Sequence, residues 1–215
     1  MATHFITADR ELALRRGRRL EYFTVAWNSL EALASIVAGV LAGSIALVGF
    51  GLDSVIETVS GVALIWRLHL TNDAAHRREG SERIALRIVG VCFVLLSIYV
   101  LIDSAHALIT REAPKESIFG IVIAAVSIIA MPLLAHAKRK IATAISSDAL
   151  RVESRQTDLC AYLSAILLVG LGLNAFFGWW WADPVAGLLM VPIIAREGYE
   201  ALRGKDCGCH GTECQ

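Results

Sequence analysis

The chain has 215 residues, of which 56% are hydrophobic and 19% are charged, whereas a soluble domain is nearer half apolar and a quarter charged. Lys plus Arg equals Asp plus Glu at 20 each. The chain therefore has no excess of positive charge that would indicate nucleic acid or a polyanionic substrate as a partner. The length allows about six membrane spans of roughly 20 residues, with little left for a soluble domain.

Apolar runs and their breaks predict an all-α, polytopic membrane protein with six transmembrane helices. Gly43-Ser44 leaves room only for a tight turn after the first span. Residues 67–84 are predicted to form a polar loop, and Pro132 predicts a kink in the fourth span. Asp183-Pro184 predicts the N-cap and the first position of the sixth helix. The predicted spans are 22–42, 45–66, 85–108, 117–136, 150–176 and 182–202.

The basic residues predict the orientation of these spans. Of the 20 Lys and Arg residues, all but Arg111 and Lys115 fall on the side of the two termini. This asymmetry predicts cytoplasmic N- and C-termini, and it suits a plasma membrane. Trp179–Trp181 would then lie at the outer interface, which indole rings prefer.

Polar side chains inside the spans are the candidates for function. Asn28 and Glu31 lie in the first span, and Asp53 and Glu57 lie in the second. A carboxylate at mid-bilayer costs about 2.5–3.5 kcal/mol, so three unpaired ones would cost roughly 8–10 kcal/mol. Nothing basic lies at similar depth in these two spans. The carboxyl groups must therefore be protonated, hydrated or bound to a cation.

The spacing of Asp53 and Glu57 favours a cation. Residues i and i+4 project from one helix face about one turn apart. A divalent cation would relieve the repulsion of two such carboxylates and would displace protons, because carboxylate ligands bind in the ionised form. The alternative is a protonated pair that hydrogen-bonds to neighbouring helices.

Residues 44–57, SIALVGFGLDSVIE, resemble the second span of the cation diffusion facilitator family of divalent metal exporters. That span follows the pattern S-x-A-L-x-A-D-A-x-H-S-x-x-D, with Asp as an alternative to His. The resemblance places Asp53 and Glu57 on the two metal-ligand positions, while Gly49–Leu52 replaces Ala-Asp-Ala-x. It extends to the six-span topology, the short first turn and the cytoplasmic termini.

Residues 149–160, ALRVESRQTDLC, are similar to the fifth-span signature of that family, A-L-x-A-D-A-x-H-S-x-x-x-D. Glu153 takes the Asp position, and Gln156 and Cys160 take the two ligand positions. The metal site implied by the resemblance is therefore Asp53, Glu57, Cys160 and Gln156. A thiolate ligand would favour Zn or Cd over Mn or Mg. Cys160 could equally be a small buried apolar residue.

The sequence places the two halves of this predicted site at different depths in the membrane. The continuous apolar run of span five begins only at Leu159, which puts Gln156 near the cytoplasmic end. Asp53 lies about nine residues, roughly 13 Å, below the outer turn. Helix tilt or a water-filled inward cavity would have to bring them together.

Four other polar residues are auxiliary or proton-relay candidates. Glu31 and Asn28 could line the same cavity as Asp53, or could hydrogen-bond between helices. Glu153 belongs to the fifth-span signature. Asp158, on a different face of that span, is an alternative donor.

The sequence divides into a transporter domain, residues 1–204, and a tail, residues 205–215. Three thiols and an imidazole in the tail are good ligands for Zn or another soft ion: Cys207, Cys209, His210 and Cys214. We expect a flexible metal-capture tail, with a disordered cysteine-rich end as the alternative. Most members of the family that the chain resembles carry a folded cytoplasmic domain after span six. We expect a short form without it, which leaves a homodimer open but not one held through that domain.

The leading hypothesis is an efflux transporter for a divalent transition metal, with Zn as the first candidate. It would exchange metal for protons across the lipid bilayer and would hold no permanent cofactor. The alternative is a non-transporting membrane protein that binds or senses metal. An enzyme is not expected, because no H-E-x-x-H signature or serine–lysine pair occurs in the spans.

Overall fold

The structure is a computed structural model that describes residues 2–69, 75–111, 114–145 and 148–203, and its regular secondary structure in these ranges is α-helical. This confirms the prediction of an all-α, six-helix protein. The helices are α1 (Ala2–Ala42), α2 (Ile45–His69), α3 (Ala75–Thr110), α4 (Ile118–Ile145), α5 (Asp148–Phe177) and α6 (Ala182–Arg203).

Several helices are longer than the predicted spans. The predicted loop 67–84 contains the end of α2 and the first residues of α3, and α4 continues to Ile145 instead of ending at residue 136. Apolar composition marks where a helix can contact lipid, whereas the helix itself continues through polar residues with good helix propensity. The predicted spans therefore mark the apolar part of each helix, and several helices extend beyond them.

Five of the six helices contain a stretch that is long and apolar enough to cross a membrane. The stretches are Leu14–Ala42, Ile45–Trp66, Arg87–Thr110, Ile118–Ile145 and Glu153–Phe177. α6 has 22 residues, about 33 Å of helix, but it carries several charged residues and does not reach the same apolarity. It packs along α3. The fold is consistent with a polytopic membrane protein.

α1 shows why these helices suit a bilayer. Its buried positions are polar or small, and most of them recur every three or four residues: Gly17, Glu21, Thr24, Asn28, Glu31, Ser35, Ala38 and Ala42. Its large apolar side chains, such as Leu30 and Leu41, are exposed. This distribution is the reverse of that in a soluble protein, because lipid rather than water contacts the outer face.

The turn between α1 and α2 is tight, as predicted. Gly43 has φ +66°, a left-handed conformation that favours glycine. Ser44 follows, and its Oγ accepts a hydrogen bond from the amide of Leu47 at 3.1 Å, which caps α2. We call the end of the bundle with this turn the turn end, and the opposite end, where α1 begins and α6 ends, the terminal end.

Asp183 differs from its predicted role as the N-cap of its own helix. It lies inside the first turn of α6, and its carboxylate binds the start of α2 instead. Ser44 Oγ donates to Asp183 Oδ1 at 2.6 Å, and the Ile45 amide donates to Oδ2 at 3.0 Å. A negative charge at a helix N-terminus is favourable, so this contact ties α6 to α2 at the turn end.

The helices associate mainly as three pairs, α1 with α2, α4 with α5, and α3 with α6. α3 and α6 approach most closely at glycines. A Cβ at Gly90 would lie only 2.9 Å from the carbonyl oxygen of Gly198, so a larger residue would force the two helices apart. Both α5 and α2 contact α6, and α1 contacts α4. A shared apolar core includes Phe50, Met131 and Leu167. The two groups, α1–α2–α4–α5 and α3–α6, meet at a boundary lined by α2 and α5.

Candidate metal-ion site

Asp53 and Glu57 lie on the inner face of α2 and are both buried. Their positions follow from the helix period, because residues one turn apart share a face. Glu57 Oε1 accepts a hydrogen bond from Thr157 Oγ1 at 2.7 Å. Its other oxygen, Oε2, has no hydrogen-bond partner in the part of the chain that the structure describes. The acidic pair is therefore buried as expected and only partly satisfied by hydrogen bonds.

Glu31 reaches the same region from α1. Ser54 Oγ donates to Glu31 Oε2 at 3.0 Å, and Ser127 Oγ makes a short hydrogen bond to Oε1. The two hydroxyls come from α2 and α4. Glu31 also interacts electrostatically with Glu57 and Asp53. Three helices therefore hold this carboxyl group next to the acidic pair.

Cys160 is the residue of α5 that joins these carboxyl groups. Its side chain is buried, and its Sγ lies 4.0 Å from Glu31 Oε2. The carboxyl groups of Glu57, Glu31 and Asp53 all act on the thiol, which also lies within hydrogen-bonding reach of Asp53 and Glu57. We call Glu31, Asp53, Glu57 and Cys160 the carboxylate–thiol cluster.

Gln156 lies beside this cluster rather than within it. Its Oε1 accepts a hydrogen bond from Ser60 Oγ at 3.2 Å. With Asp53, Phe93 and Glu197 it lines a narrow crevice between α2–α5 and α3–α6. The volume of the crevice, about 10 Å³, is close to the space that one water molecule needs. Because Gln156 and Asp53 line the same crevice, the difference in depth inferred from the sequence does not keep them apart.

Lys138 is a functional candidate that the sequence analysis missed, because it was counted as a basic residue of a cytoplasmic loop. It lies inside α4 with 0% of its side chain exposed. Its Nζ is 3.4 Å from Glu21 Oε1 and 3.7 Å from Glu153 Oε1, and it donates to Thr157 Oγ1 at 3.2 Å. The buried carboxyl groups therefore have a basic neighbour on α4, outside the two spans for which the sequence predicted none.

We call Glu21, Lys138 and Glu153 the lysine cluster. Thr157 connects it to the carboxylate–thiol cluster, because its hydroxyl accepts from Lys138 and donates to Glu57. Glu21 was also missed, since it falls just before the first predicted span. The helical spacing of Glu21 with Asn28 and Glu31 is the signal that could have identified it.

The remaining predicted residues are not brought into either cluster. Asn28 is buried on the inner face of α1, and its amide atoms have no hydrogen-bond partner among the described residues. Asp158 points to the surface of α4 and pairs with Arg139 at 3.0 Å. The tail residues Cys207, Cys209, His210 and Cys214 lie outside the described residues. Their roles stay predictions.

Neither cluster is a formed coordination shell. Within residues 2–69, 75–111, 114–145 and 148–203, no group of three or more His, Cys, Asp and Glu side chains is placed so that it could hold a metal ion. The carboxyl groups are turned towards hydroxyls and Lys138 instead. A divalent ion would therefore require side-chain rotation at Asp53, Glu57 or Cys160.

The fold and these clusters define a polytopic membrane protein with acidic and thiol groups in its interior. The sequence profile of the cation efflux transmembrane domain matches residues 22–204, which is most of the chain. The chain belongs to the cation efflux family. The resemblance noted in residues 44–57 is thereby confirmed.

The chain is also similar to curated proteins from an animal and from bacteria. Transmembrane protein 163 of Xenopus laevis is 27% identical over 85% of this chain and 65% of its own length. A cadmium, cobalt and zinc/H(+)-K(+) antiporter of Bacillus velezensis is 28% identical over 78% of this chain and 55% of its own. The cation-efflux pump FieF of Shewanella oneidensis is 21% identical over 77% and 57%. The chain thus spans between about half and two thirds of their lengths.

Proposed function

We propose that the protein is a metal/proton antiporter that moves a divalent transition-metal cation, with zinc as the first candidate, out of the cytoplasm. The observation that carries the proposal is the convergence of Asp53, Glu57 and Cys160 inside the bundle. Two relatives are named as a cadmium, cobalt and zinc/H(+)-K(+) antiporter and as a cation-efflux pump, which supports this class of cargo and coupling.

The cluster has the chemistry that exchange requires. Carboxyl and thiol groups bind metal only after they lose their protons. A cation that enters the cluster therefore releases protons, and protons that return displace the cation. Glu57 Oε2 accepts no hydrogen bond from an N–H or O–H group among the described residues, so a cation bound there would displace no such donor. The same side chains therefore bind the metal ion and the protons alternately.

The position of Asp53 supports alternating access. It lies at the crevice between the two helix groups, which Glu197 of α6 also lines. A movement of α3–α6 relative to α2–α5 would open or close this crevice. The positive-inside asymmetry of the sequence gives the direction, with the terminal end in the cytoplasm.

The chemical types of the ligands determine which metal ion is preferred. Two carboxylates would bind any divalent cation, but a thiolate favours zinc or cadmium over magnesium or manganese. Gln156 lies beside the cluster and would add a carbonyl oxygen at most. We assign Asp53, Glu57 and Cys160 as the ligands and Glu31 as the neighbouring proton carrier.

Uptake into proteoliposomes tests the proposal. The purified chain is reconstituted with an imposed proton gradient, and zinc uptake is followed with an enclosed fluorescent indicator. Asp53→Ala/Glu57→Ala is expected to reduce uptake at least tenfold. Asp158→Ala is the matched control, because Asp158 pairs with Arg139 away from the cluster, and it is expected to transport like the wild type.

The outcomes separate the alternatives. Wild-type transport in the double variant would contradict the site assignment. Zinc binding without any flux in the wild type would favour a membrane protein that binds or senses metal without transporting it. A metal-by-metal comparison, with and without residues 205–215, then identifies the preferred ion and the contribution of the tail.

A further inference from the structure

We propose that Thr157 is a positioning residue for Glu57. Backed by Lys138, its hydroxyl group fixes one carboxylate oxygen of Glu57 and leaves the other for the transported cation. Thr157 does not contact the ion, and it sets the affinity of the site through Glu57 alone. The inference rests on the proposed function, since it takes Glu57 as a ligand.

The hydroxyl group of Thr157 lies at a junction of three helices. Its Oγ1 is 2.7 Å from Glu57 Oε1 on α2 and 3.2 Å from Lys138 Nζ on α4. The carbonyl oxygen of Glu153, one turn back on α5, is 3.1 Å away. Thr157 is 0% exposed. Its hydrogen bonds are therefore decided by these neighbours rather than by bulk water.

The chemistry of these groups gives the direction of the hydrogen bonds. An ammonium group only donates, so Thr157 Oγ1 accepts from Lys138 and keeps one proton of its own. The 2.7 Å to Glu57 Oε1 matches a charge-assisted O–H···O⁻ bond of about 2.5–2.7 Å. The 3.1 Å to the Glu153 carbonyl exceeds the usual O–H···O range of about 2.5–3.0 Å. The proton of Thr157 therefore points to Glu57.

Lys138 is held in place as the donor to Thr157. Its Nζ lies 3.4 Å from Glu21 Oε1 and 3.7 Å from Glu153 Oε1, and these carboxylates belong to α1 and α5. The side chains of Lys138, Glu21 and Glu153 are at most 5% exposed. The lysine cluster therefore keeps the ammonium group next to Thr157, and this fixes the direction in which the hydroxyl group points.

The two oxygens of Glu57 have different surroundings as a result. Oε1 is held by Thr157, whereas Oε2 accepts no hydrogen bond from an N–H or O–H group among the described residues. Oε2 is therefore the oxygen that remains for an ion. Hydrogen bonds from outside the ligand set orient ligating carboxylates in metal sites. Because one oxygen is already fixed, Glu57 loses less side-chain freedom when an ion binds, which raises the affinity.

The alternative is that Thr157 only satisfies the backbone of its own helix. Threonine in a helix commonly donates to the carbonyl group four residues back, and Thr24 does so to Leu20 at 3.0 Å. Thr24 is 1% exposed, which makes it the matched control for Thr157. A threonine with only this role can be replaced by Val, which has nearly the same shape, without an effect on metal binding.

Zinc affinity tests the proposal. The full chain is purified in detergent micelles, and competition with a fluorescent zinc chelator gives the Kd and the number of sites per chain. Thr157→Val is expected to raise the Kd about 10–100-fold and to keep the number of sites. Thr157→Ser, which restores the hydroxyl group, and Thr24→Val are expected to keep the Kd of the parent chain. The parent chain carries four substitutions, so that the predicted tail ligands do not contribute: Cys207→Ser, Cys209→Ser, His210→Ala and Cys214→Ser.

A second comparison tests whether Thr157 acts through Glu57. Glu57→Ala is expected to bind zinc weakly through Asp53 and Cys160. In that chain, the further change Thr157→Val is expected to leave the Kd as it is, because no carboxylate remains to be held, whereas independent effects would add. The proposal is overturned by an unchanged Kd in Thr157→Val, by a Thr157→Ser chain that binds as weakly as Thr157→Val, or by additive effects.

Loss of the fold and loss of positioning give different results. Partial unfolding lowers the number of sites per chain, whereas loss of positioning raises the Kd of the sites that remain. If Thr157→Val does not fold, Thr157→Ala replaces it and is expected to raise the Kd about tenfold, since a water molecule in the space left holds Glu57 less firmly. An unchanged Kd in Thr157→Ala then overturns the proposal.

The proposed function fails separately from this inference. An unchanged Kd in Glu57→Ala would contradict the assignment of Glu57 as a ligand, and with it both conclusions. Weakened binding in Glu57→Ala together with an unchanged Kd in Thr157→Val would retain the metal site and overturn only the role of Thr157.

Discussion

Lys138→Met is expected to destabilise the protein strongly when no metal is present. The substitution removes the cation between Glu21 and Glu153, which come from two other helices. All three side chains are nearly or fully inaccessible to solvent. Two carboxylates would then remain buried without a counter-charge.

The magnitude follows from the partners that each carboxylate keeps. Glu153 retains the hydrogen bond from Ser60, whereas Glu21 keeps no hydrogen bond among the described residues. Removing one partner of a buried ion pair costs about 3–5 kcal/mol. We expect a loss of about 4 kcal/mol in the free energy of unfolding, which lowers the ratio of folded to unfolded protein about 1000-fold.

Unfolding in mixed detergent micelles with a chelator present measures this loss. Lys140→Met, at an exposed position, is expected to stay within about 0.5 kcal/mol of the wild type. Lys138→Met/Glu21→Gln/Glu153→Gln is expected to recover at least half of the loss, because neutral groups replace the whole ion cluster. The reasoning would be refuted if the free energy of unfolding of Lys138→Met were within about 1 kcal/mol of the wild-type value. It would also be refuted if the triple variant were no more stable than Lys138→Met.

Three other predictions test separate parts of the structure. In a double-mutant cycle, Ser44→Ala and Asp183→Asn are expected to couple by about 1.5–3 kcal/mol in unfolding experiments, since the hydrogen bond involves a charged group; additive effects would contradict the contact. Cys160→Ser is expected to lower the preference for Cd²⁺ over Mn²⁺ at least tenfold in competition binding, and an unchanged preference would remove the thiol from the site. Gly90→Ala is expected to cost about 1–3 kcal/mol through overpacking against α6, whereas Gly172→Ala, where a Cβ would have nothing within 4 Å, is expected to be no less stable than the wild type.

The sequence was sufficient to predict the helices and some of the buried charged groups. Asp53, Glu57 and Glu31 stand out because charge inside an apolar run is costly. Composition and the position of Gly43-Ser44 were enough to predict six helices and a tight first turn. These features depend on local sequence, so they could be read without knowledge of the packing.

Lys138 could not be recognised from apolarity alone, because it lies just beyond the predicted fourth span. Its spacing carries the missing information. The buried residues of α4 include Ala124, Met131, Lys138 and Ile145, which recur every seven residues on one helix face. Periodicity continued past the apolar run would have placed Lys138 in the interior, although not next to Glu21 and Glu153.

The partners of Asp183 and Cys160 could not be predicted, since they come from distant parts of the chain. Asp183 binds Ser44, which is 139 residues away in the sequence, and Cys160 lies beside Glu31, which is 129 residues away. The local pattern at Asp183 indicates only a helix start. Which helix the carboxylate caps is decided by how α6 packs against α2.

Proton release on metal binding is the most direct test of the exchange. Zinc is titrated by calorimetry, in buffers of different ionisation enthalpy, into a chain that carries Cys207→Ser, Cys209→Ser, His210→Ala and Cys214→Ser, so that the predicted tail ligands do not contribute; this gives the number of protons released per bound ion. This chain is expected to release protons on binding, and the further change Asp53→Asn/Glu57→Gln is expected to lose both the binding and the release. Zinc binding without proton release, or release that persists in the double variant, would contradict the assignment of these carboxylates as the shared site for metal and protons.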